Sequence, residues 1–393
     1  MTQFSPFVSR VAFPPIAEAM SWARPGLRNR ELLNLCQAVP SYAPAPQLQA
    51  EIGRLALLPG TGGYTDIFGV PELRQAYAGV MSAAYGASLS QANVAITTGC
   101  NQAFAAAVMS VAGHGDNVIM PVPHYFNHHM WLTMLGIDCS TIPAITPEGS
   151  PRVADAVLAL TPRTRAVVLC TPNNPTGAIY APEVIAQFFE FARDSGIALI
   201  LDETYRDFRP DAAPSHGLFH QADWEETVIH LYSFSKIYAV AGYRLGAMTA
   251  GPKLLHEAAK VLDTMTICPP QISQRAVHFA LGELDDWKQG KRDLMATRLA
   301  ALRGAFKDSR LTYELASSGA YFAYVKHPFR ELASKDVAQR LAMEHDLLCL
   351  PGSMFGVDQE DYLRFAFANV EADRMGSLVE RLIESQTWQL PVF

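Results

Sequence analysis

The chain has 393 residues, 49% of them hydrophobic and 18% charged, which is enough for two domains with a large core. Its formal net charge is −7 and its lysines and arginines form no run, which argues against a nucleic-acid or anionic-membrane partner. The longest apolar windows, such as 103–112, fall short of a membrane span, residues 1–10 lack the apolar core of a signal peptide, and Cys36, Cys100, Cys139, Cys170, Cys268 and Cys349 form no CxxC, so a cytoplasmic chain with reduced thiols is expected.

Between about residues 45 and 261, apolar runs alternate with helical stretches, the pattern of a doubly wound α/β domain with a mainly parallel sheet. Strands are predicted at 94–97, 117–120, 166–169, 198–201, 228–231 and 245–249, and several end in polar residues. The first leads through Thr98-Gly99-Cys100-Asn101 into a helix over 102–111, whose free first-turn amides attract an anion. Residues 166–170 run into Thr171-Pro172-Asn173-Asn174-Pro175-Thr176-Gly177, a rigid loop because its prolines lack donors. The helix predicted over 182–195 carries Val184, Ile185, Phe188, Phe189 and Ala192 on one stripe and stops at Gly196, a packing pattern. The next strand ends in Asp202-Glu203-Thr204-Tyr205.

A short strand over 227–232 then delivers Ser233-Phe234-Ser235-Lys236, with Arg244-Leu245-Gly246 eight positions beyond the lysine. A lysine between small hydroxyl residues, followed by an arginine, is placed to hold an aldehyde as an imine beside an anion. Ser233, Ser235 and Arg244 can donate hydrogen bonds to phosphate oxygens, so the candidate ligand is pyridoxal 5'-phosphate.

From about 270 to 307 the chain reads as almost continuously helical, then switches to strands at 320–325 and 363–368. This predicts a large cofactor domain over 45–285 and a smaller α+β domain made of 1–44 and 286–393. Alternation in the last strand puts Tyr362, Arg364 and Ala366 on one face and Leu363, Phe365 and Phe367 on the other, leaving Arg364 among apolar neighbours and in need of an anion. His124 and His128 have helical i,i+4 spacing next to His129, yet no carboxylate or third ligand is suitably spaced, so no metal is expected.

Asn174-Pro175-Thr176-Gly177, Asp202-x-x-Tyr205, Ser233-x-Ser235-Lys236 and Arg244-x-Gly246, in that order, resemble the class I/II aminotransferase family of fold-type-I pyridoxal-phosphate enzymes, aspartate aminotransferase-like, from about Leu33 to Ala368. The resemblance implies a large doubly wound domain with a smaller α+β domain. It also implies ping-pong transfer of an amino group from an α-amino acid to an α-keto acid. By the same resemblance Lys236 holds the cofactor and moves the proton, and Asp202 pairs with the pyridine nitrogen. Asn174 and Tyr205 donate to the phenolic oxygen, Tyr125 stacks on the ring, and Cys100 and Asn101 give amides to the phosphate. Arg364 grips the substrate carboxylate, and Tyr64 crosses to the neighbouring subunit's phosphate, which implies a homodimer with shared active sites.

One position departs from the family pattern. Ala38-Val39-Pro40-Ser41 stands where the family has Gly-x-Pro-Asp, so a methyl group faces the approach to the substrate carboxylate. A lyase of the same fold, eliminating from β-substituted amino acids or closing a ring as aminocyclopropane-carboxylate synthase does, would use nearly the same residues. A non-catalytic cofactor-binding regulator would be expected to carry a DNA-binding domain and a basic surface.

Overall fold

The computed structural model describes residues 2–23, 30–145, 149–211 and 213–388. Its first strand, β1 (Leu33–Asn34), pairs in parallel with Leu347–Leu348 far along the chain. The largest sheet has eight strands: β2 (Val94–Thr97), β3 (Asn117–Val122), β4 (Asp138–Ile145), β5 (Ser150–Pro151), β6 (Thr164–Cys170), β7 (Ala198–Asp202), β8 (Val228–Ser233) and β9 (Gly246–Ala250). Their spatial order is β2-β9-β8-β7-β6-β3-β4-β5. The interior strands pair in parallel, while β9 is antiparallel to both of its neighbours and β5 to β4.

Strand parity divides the core. Ala95, Val118, Met120, Val168, Ile200, Leu231 and Met248 pack on one face with the helices Cys100–Val111 and Pro252–Thr266. Val94, Ile96, Ile119, Val167, Leu199, Leu201 and Tyr232 pack on the other, where the helix Pro182–Asp194 buries Ile185, Phe188, Phe189 and Ala192. A strand covered on both faces has no polar side to show, which is why these strands read as unbroken apolar runs. Strand β4 was not anticipated: its sequence Asp-Cys-Ser-Thr-Ile-Pro-Ala-Ile opens with polar residues and contains proline, which is tolerated towards the sheet margin.

A four-stranded sheet follows, built from β10 (Glu314–Gly319), β11 (Phe322–Lys326), β13 (Leu350–Pro351) and β14 (Tyr362–Phe365), with β12 (Leu347–Leu348) paired to β1. It packs on its own apolar cluster, including Leu33, Leu35, Phe126, Val325, Leu341, Leu363 and Phe365. The expected strand over 363–368 is shorter than predicted. It ends at Phe365, because Ala366 donates its amide to the Leu35 carbonyl at 2.7 Å and the chain turns there. The expected strand over 320–325 likewise begins only at Phe322, since Ala320 has φ +46° and forms the turn from β10. The helical stretch is two helices, Gln271–Glu283 and Asp285–Ala305, separated at Leu284. No helix among the described residues is long and apolar enough to cross a membrane.

Candidate active site

The carboxyl ends of β2, β6, β7 and β8 open into a cavity of about 670 Å³. Ala38, Cys100, Asn101, Tyr125, Asn174, Asp202, Tyr205, Ser233, Ser235, Lys236, Arg244 and Arg364 all line it. Tyr64 alone of the predicted site residues lies elsewhere, 79% exposed on the surface.

Lys236 belongs to the single helical turn Phe234–Ile237 that follows β8. Its ammonium donates to the Ala38 carbonyl at 2.6 Å, so the residue that departs from the family pattern touches the lysine through its backbone. Burial, with the Arg364 and Arg244 cations nearby, pushes the lysine pKa down to about 8.

Asp202, the last residue of β7, is buried. Its Oδ1 accepts the Thr204 amide at 2.9 Å, and its Oδ2 lies 3.2 Å from His128 Nε2. Burial pushes this carboxyl up, but the hydrogen bonds from His128 and Thr204 outweigh burial and hold it below its ordinary value. An ionised carboxylate needs donors, which places the proton of His128 on Nε2. Phe104 stacks on the imidazole with centroids 3.9 Å apart, and Tyr125 meets it edge-on at 5.1 Å. The sequence reading weighed His128 only as a metal ligand. The available signal was its position one helical turn after Tyr125, at the start of the helix Phe126–Leu135.

The end of the cavity at Arg244 and the start of the helix Cys100–Val111 is built by close packing. Gly99 precedes the helix Cys100–Val111 at φ +80°, and a β-carbon there would collide with the Arg244 guanidinium. At Gly246 a β-carbon would lie 2.8 Å from the Cys100 amide nitrogen, so this glycine lets β9 approach the helix start. Ser233 and Ser235 are buried beside it.

Asn173 ties the loop after β6 together, accepting from the Thr176 amide at 3.1 Å and hydroxyl at 2.9 Å, which leaves Asn174 to face the cavity. Asn174 Oδ1 accepts from Arg364 Nη1 at 3.3 Å. Arg364 is 1% exposed, gives its other terminal nitrogen to the Cys36 carbonyl, and leaves Nε without a partner. Among the described residues no carboxylate lies within ion-pair distance of it. A buried guanidinium on a cavity wall with no carboxylate partner has donor capacity left for an anion. Burial lowers its pKa. Tyr205, buried in the wall, and Tyr125, half-buried there, have their phenols pushed up by desolvation, Tyr125 to about 12, so each hydroxyl keeps its proton.

A second buried cluster escaped the sequence reading. Glu203, on the opposite side of the chain from Asp202, places Oε2 2.8 Å from His230 Nε2 and 3.5 Å from His216 Nε2, and the Tyr85 hydroxyl donates to the same oxygen. Three such groups could suggest a metal centre. The tautomer argues otherwise: the Leu218 amide donates to His216 Nδ1 at 3.2 Å, so the proton sits on Nε2 and that nitrogen has no lone pair for a metal. The cluster is a hydrogen-bonded carboxylate.

The fold and cavity define a fold-type-I enzyme, and comparison with known proteins gives its family. Residues 30–382 match the family model described as aminotransferase class I and II. The chain is 26% identical to the aspartate aminotransferase of Sulfolobus acidocaldarius, covering 90% of this chain and 92% of that protein. It is 29% identical to the valine–pyruvate aminotransferase of Mycobacterium tuberculosis, covering 93% and 94%. Among solved structures, the aspartate aminotransferase from Thermus thermophilus with maleate superposes with a TM-score of 0.88 at 23% identity, covering 98% of this chain and 100% of that one. The chain belongs to the class I and II aminotransferase family and is a transaminase.

Proposed function

We propose that this transaminase works with pyridoxal 5'-phosphate in the cavity beneath Lys236, exchanging amino groups between an α-amino acid and an α-keto acid. The observation that carries the reading is the convergence in one cavity of a lysine with a pKa lowered to about 8, a buried ionised Asp202, and a glycine-lined helix start beside Arg244. These residues fit the cofactor. The cradle at Gly99 and Gly246 suits a phosphate, and the unpartnered Nε of Arg364 suits a carboxylate. When bound, the cofactor would supply an electron sink for the substrate α-carbon.

The chain's own residues would do the rest. Lys236, unprotonated for a larger fraction of the time than an ordinary lysine, would bond the aldehyde and then move a proton at the substrate α-carbon. Asp202, held ionised by His128 and Thr204, would pair with the pyridine nitrogen. Asn174 and Tyr205 would donate to the phenolic oxygen, and Tyr125 would lie against the ring. The Cys100 and Asn101 amides, with Ser233, Ser235 and Arg244, would hold the phosphate. Arg364 would hold the α-carboxylate, oriented by Asn174.

The same reading divides the chain into a large domain over 45–285 and a small one made of 1–44 and 286–393, supported by the separate apolar clusters of the two sheets. It makes the enzyme a homodimer in which Tyr64, exposed on its own chain and outside its own cavity lining, would serve the neighbouring subunit's site. Six free thiols suit a reducing, cytoplasmic location.

Borohydride reduction of the holoenzyme followed by peptide mapping tests the assignment, with the label expected on Lys236. Single-turnover reaction with amino acids should give the α-keto acid with the amine retained on the enzyme. Release of ammonia with pyruvate would instead mark a lyase.

A further inference from the structure

Residues 36–38 give backbone carbonyls to two of the cavity's cations. The Cys36 carbonyl accepts from Arg364 Nη2, and the Ala38 carbonyl accepts from the Lys236 ammonium at 2.6 Å. The carbonyl between them, that of Gln37, accepts instead from the side-chain amide of Asn369. Asn369 ends the short helical turn Phe367–Asn369, just beyond the strand β14 that carries Arg364.

This one side chain holds both peptide groups that flank Ala38. Its Nδ2 donates to the Gln37 carbonyl on one side, and its Oδ1 accepts the Val39 amide at 3.3 Å on the other. The same Nδ2 donates to the Asn34 carbonyl at 3.3 Å. Val39 also donates to the Gln37 carbonyl at 2.9 Å, which closes a three-residue turn centred on Ala38. All of these contacts are made within one chain. Their consequence falls on Lys236. An amine can turn about its last carbon–nitrogen bond, and a fixed acceptor for one N–H confines that rotation, so the lone pair keeps one direction. The same acceptor favours the charged ammonium, against the burial and the arginines that disfavour it.

We infer that Asn369 is a positioning residue for transamination: by holding the peptide groups on both sides of Ala38, it fixes the carbonyl that orients the Lys236 amine. The inference rests on the function proposed above, which gives Lys236 the proton transfer. In cofactor-free Asn369→Ala the midpoint for acylation of Lys236, read by mass spectrometry, should fall by about one pH unit relative to wild type, the worth of one hydrogen bond to a charged group. General loosening of the cavity would do the opposite, because admitted water moves a buried lysine back towards its ordinary value. In the holoenzyme the limiting rate of the half-reaction with an amino acid should fall at least ~10-fold, as expected for a misplaced reacting group, while the half-saturating concentration changes by a smaller factor. A midpoint in Asn369→Ala that stays or rises would overturn the inference and leave the transaminase reading standing, and so would a lowered midpoint with an unchanged limiting rate. Should that variant not fold, Asn369→Ser, whose single hydroxyl cannot span both peptide groups, is measured against the same expectations. Borohydride labelling of the wild-type holoenzyme at a lysine other than Lys236 would instead overturn the underlying reading.

Discussion

His128 Nε2 stands 3.2 Å from Asp202 Oδ2, clamped between the Phe104 ring and the edge of Tyr125. This imidazole gives Asp202 a lateral donor that the Thr204 amide, bound to the other oxygen, cannot replace. Without it, burial would dominate and raise the carboxyl's pKa. His128→Phe should therefore move the acid limb of the kcat profile to higher pH, because Asp202 would take up its proton sooner as the pH falls. At pH 7.5 the loss should be ~10-fold or more, and smaller than the ~10²-fold or greater loss expected for Asp202→Ala. A pH–rate profile of both variants checks this, and an unshifted acid limb would show that His128 does not support the charge.

Lys236 should titrate far from an ordinary lysine. Its amine is placed near 8 by burial and by the Arg364 and Arg244 cations. In cofactor-free protein, acylation of Lys236 measured by mass spectrometry should rise with a midpoint near pH 8, where surface lysines still hold their protons at ~10.4. Arg364→Met removes one cation, so the midpoint should move upward. A midpoint that stays in place would mean that Arg364 does not act on the amine.

Much of this site could be read from the sequence because its residues stand where apolar runs end. Asp202 closes β7, Asn174 follows β6, and Lys236 follows β8, so buried strands themselves mark the carboxyl edge of the sheet. What escaped depended on contacts between segments distant in sequence. His128 belongs to a helix with no pattern pointing at Asp202, and His216 and His230 converge on Glu203 from separate stretches of chain. Alternation along Tyr362–Phe367 failed at Ala366 for a similar reason, since the Leu35 carbonyl captures its amide from the N-terminal segment.

The Glu203 cluster should make stability fall in acid. Burial pushes the Glu203 carboxyl up, but the His216 and His230 hydrogen bonds outweigh burial and hold it well below the ordinary value. Its contribution is thus present above the unfolded value of about 4.3 and is lost as pH falls through the lower folded value. His230, lowered mainly by burial, acts in the same direction, because the unfolded imidazole binds a proton below about 6.5 that the folded one resists. Unfolding midpoints should decline steadily from pH 6.5 downward. Glu203→Ala should cost ~3–5 kcal/mol at pH 7, the usual penalty for breaking a buried charged network. Denaturant melts at several pH values measure both, and a pH-independent midpoint would remove the network from the stability of the fold.

Tyr64, 79% exposed on its own chain, tests whether the active sites are shared. If its hydroxyl serves the neighbouring subunit, a heterodimer of Lys236→Ala and Tyr64→Phe chains has one site with both lesions and one with neither. If it serves its own chain, each site carries one lesion. The Lys236→Ala homodimer supplies no activity, so in the second case the mixture can only reach the mean of the two parent homodimers. In the first case it must exceed that mean, because the intact site turns over at the wild-type rate; with a severe Tyr64 defect, equal mixing approaches about a quarter of wild-type activity. Subunit exchange should be verified by native mass spectrometry of differently tagged chains. Activity that stays at the mean after full exchange would place Tyr64 outside the neighbour's site and argue that it acts within its own chain.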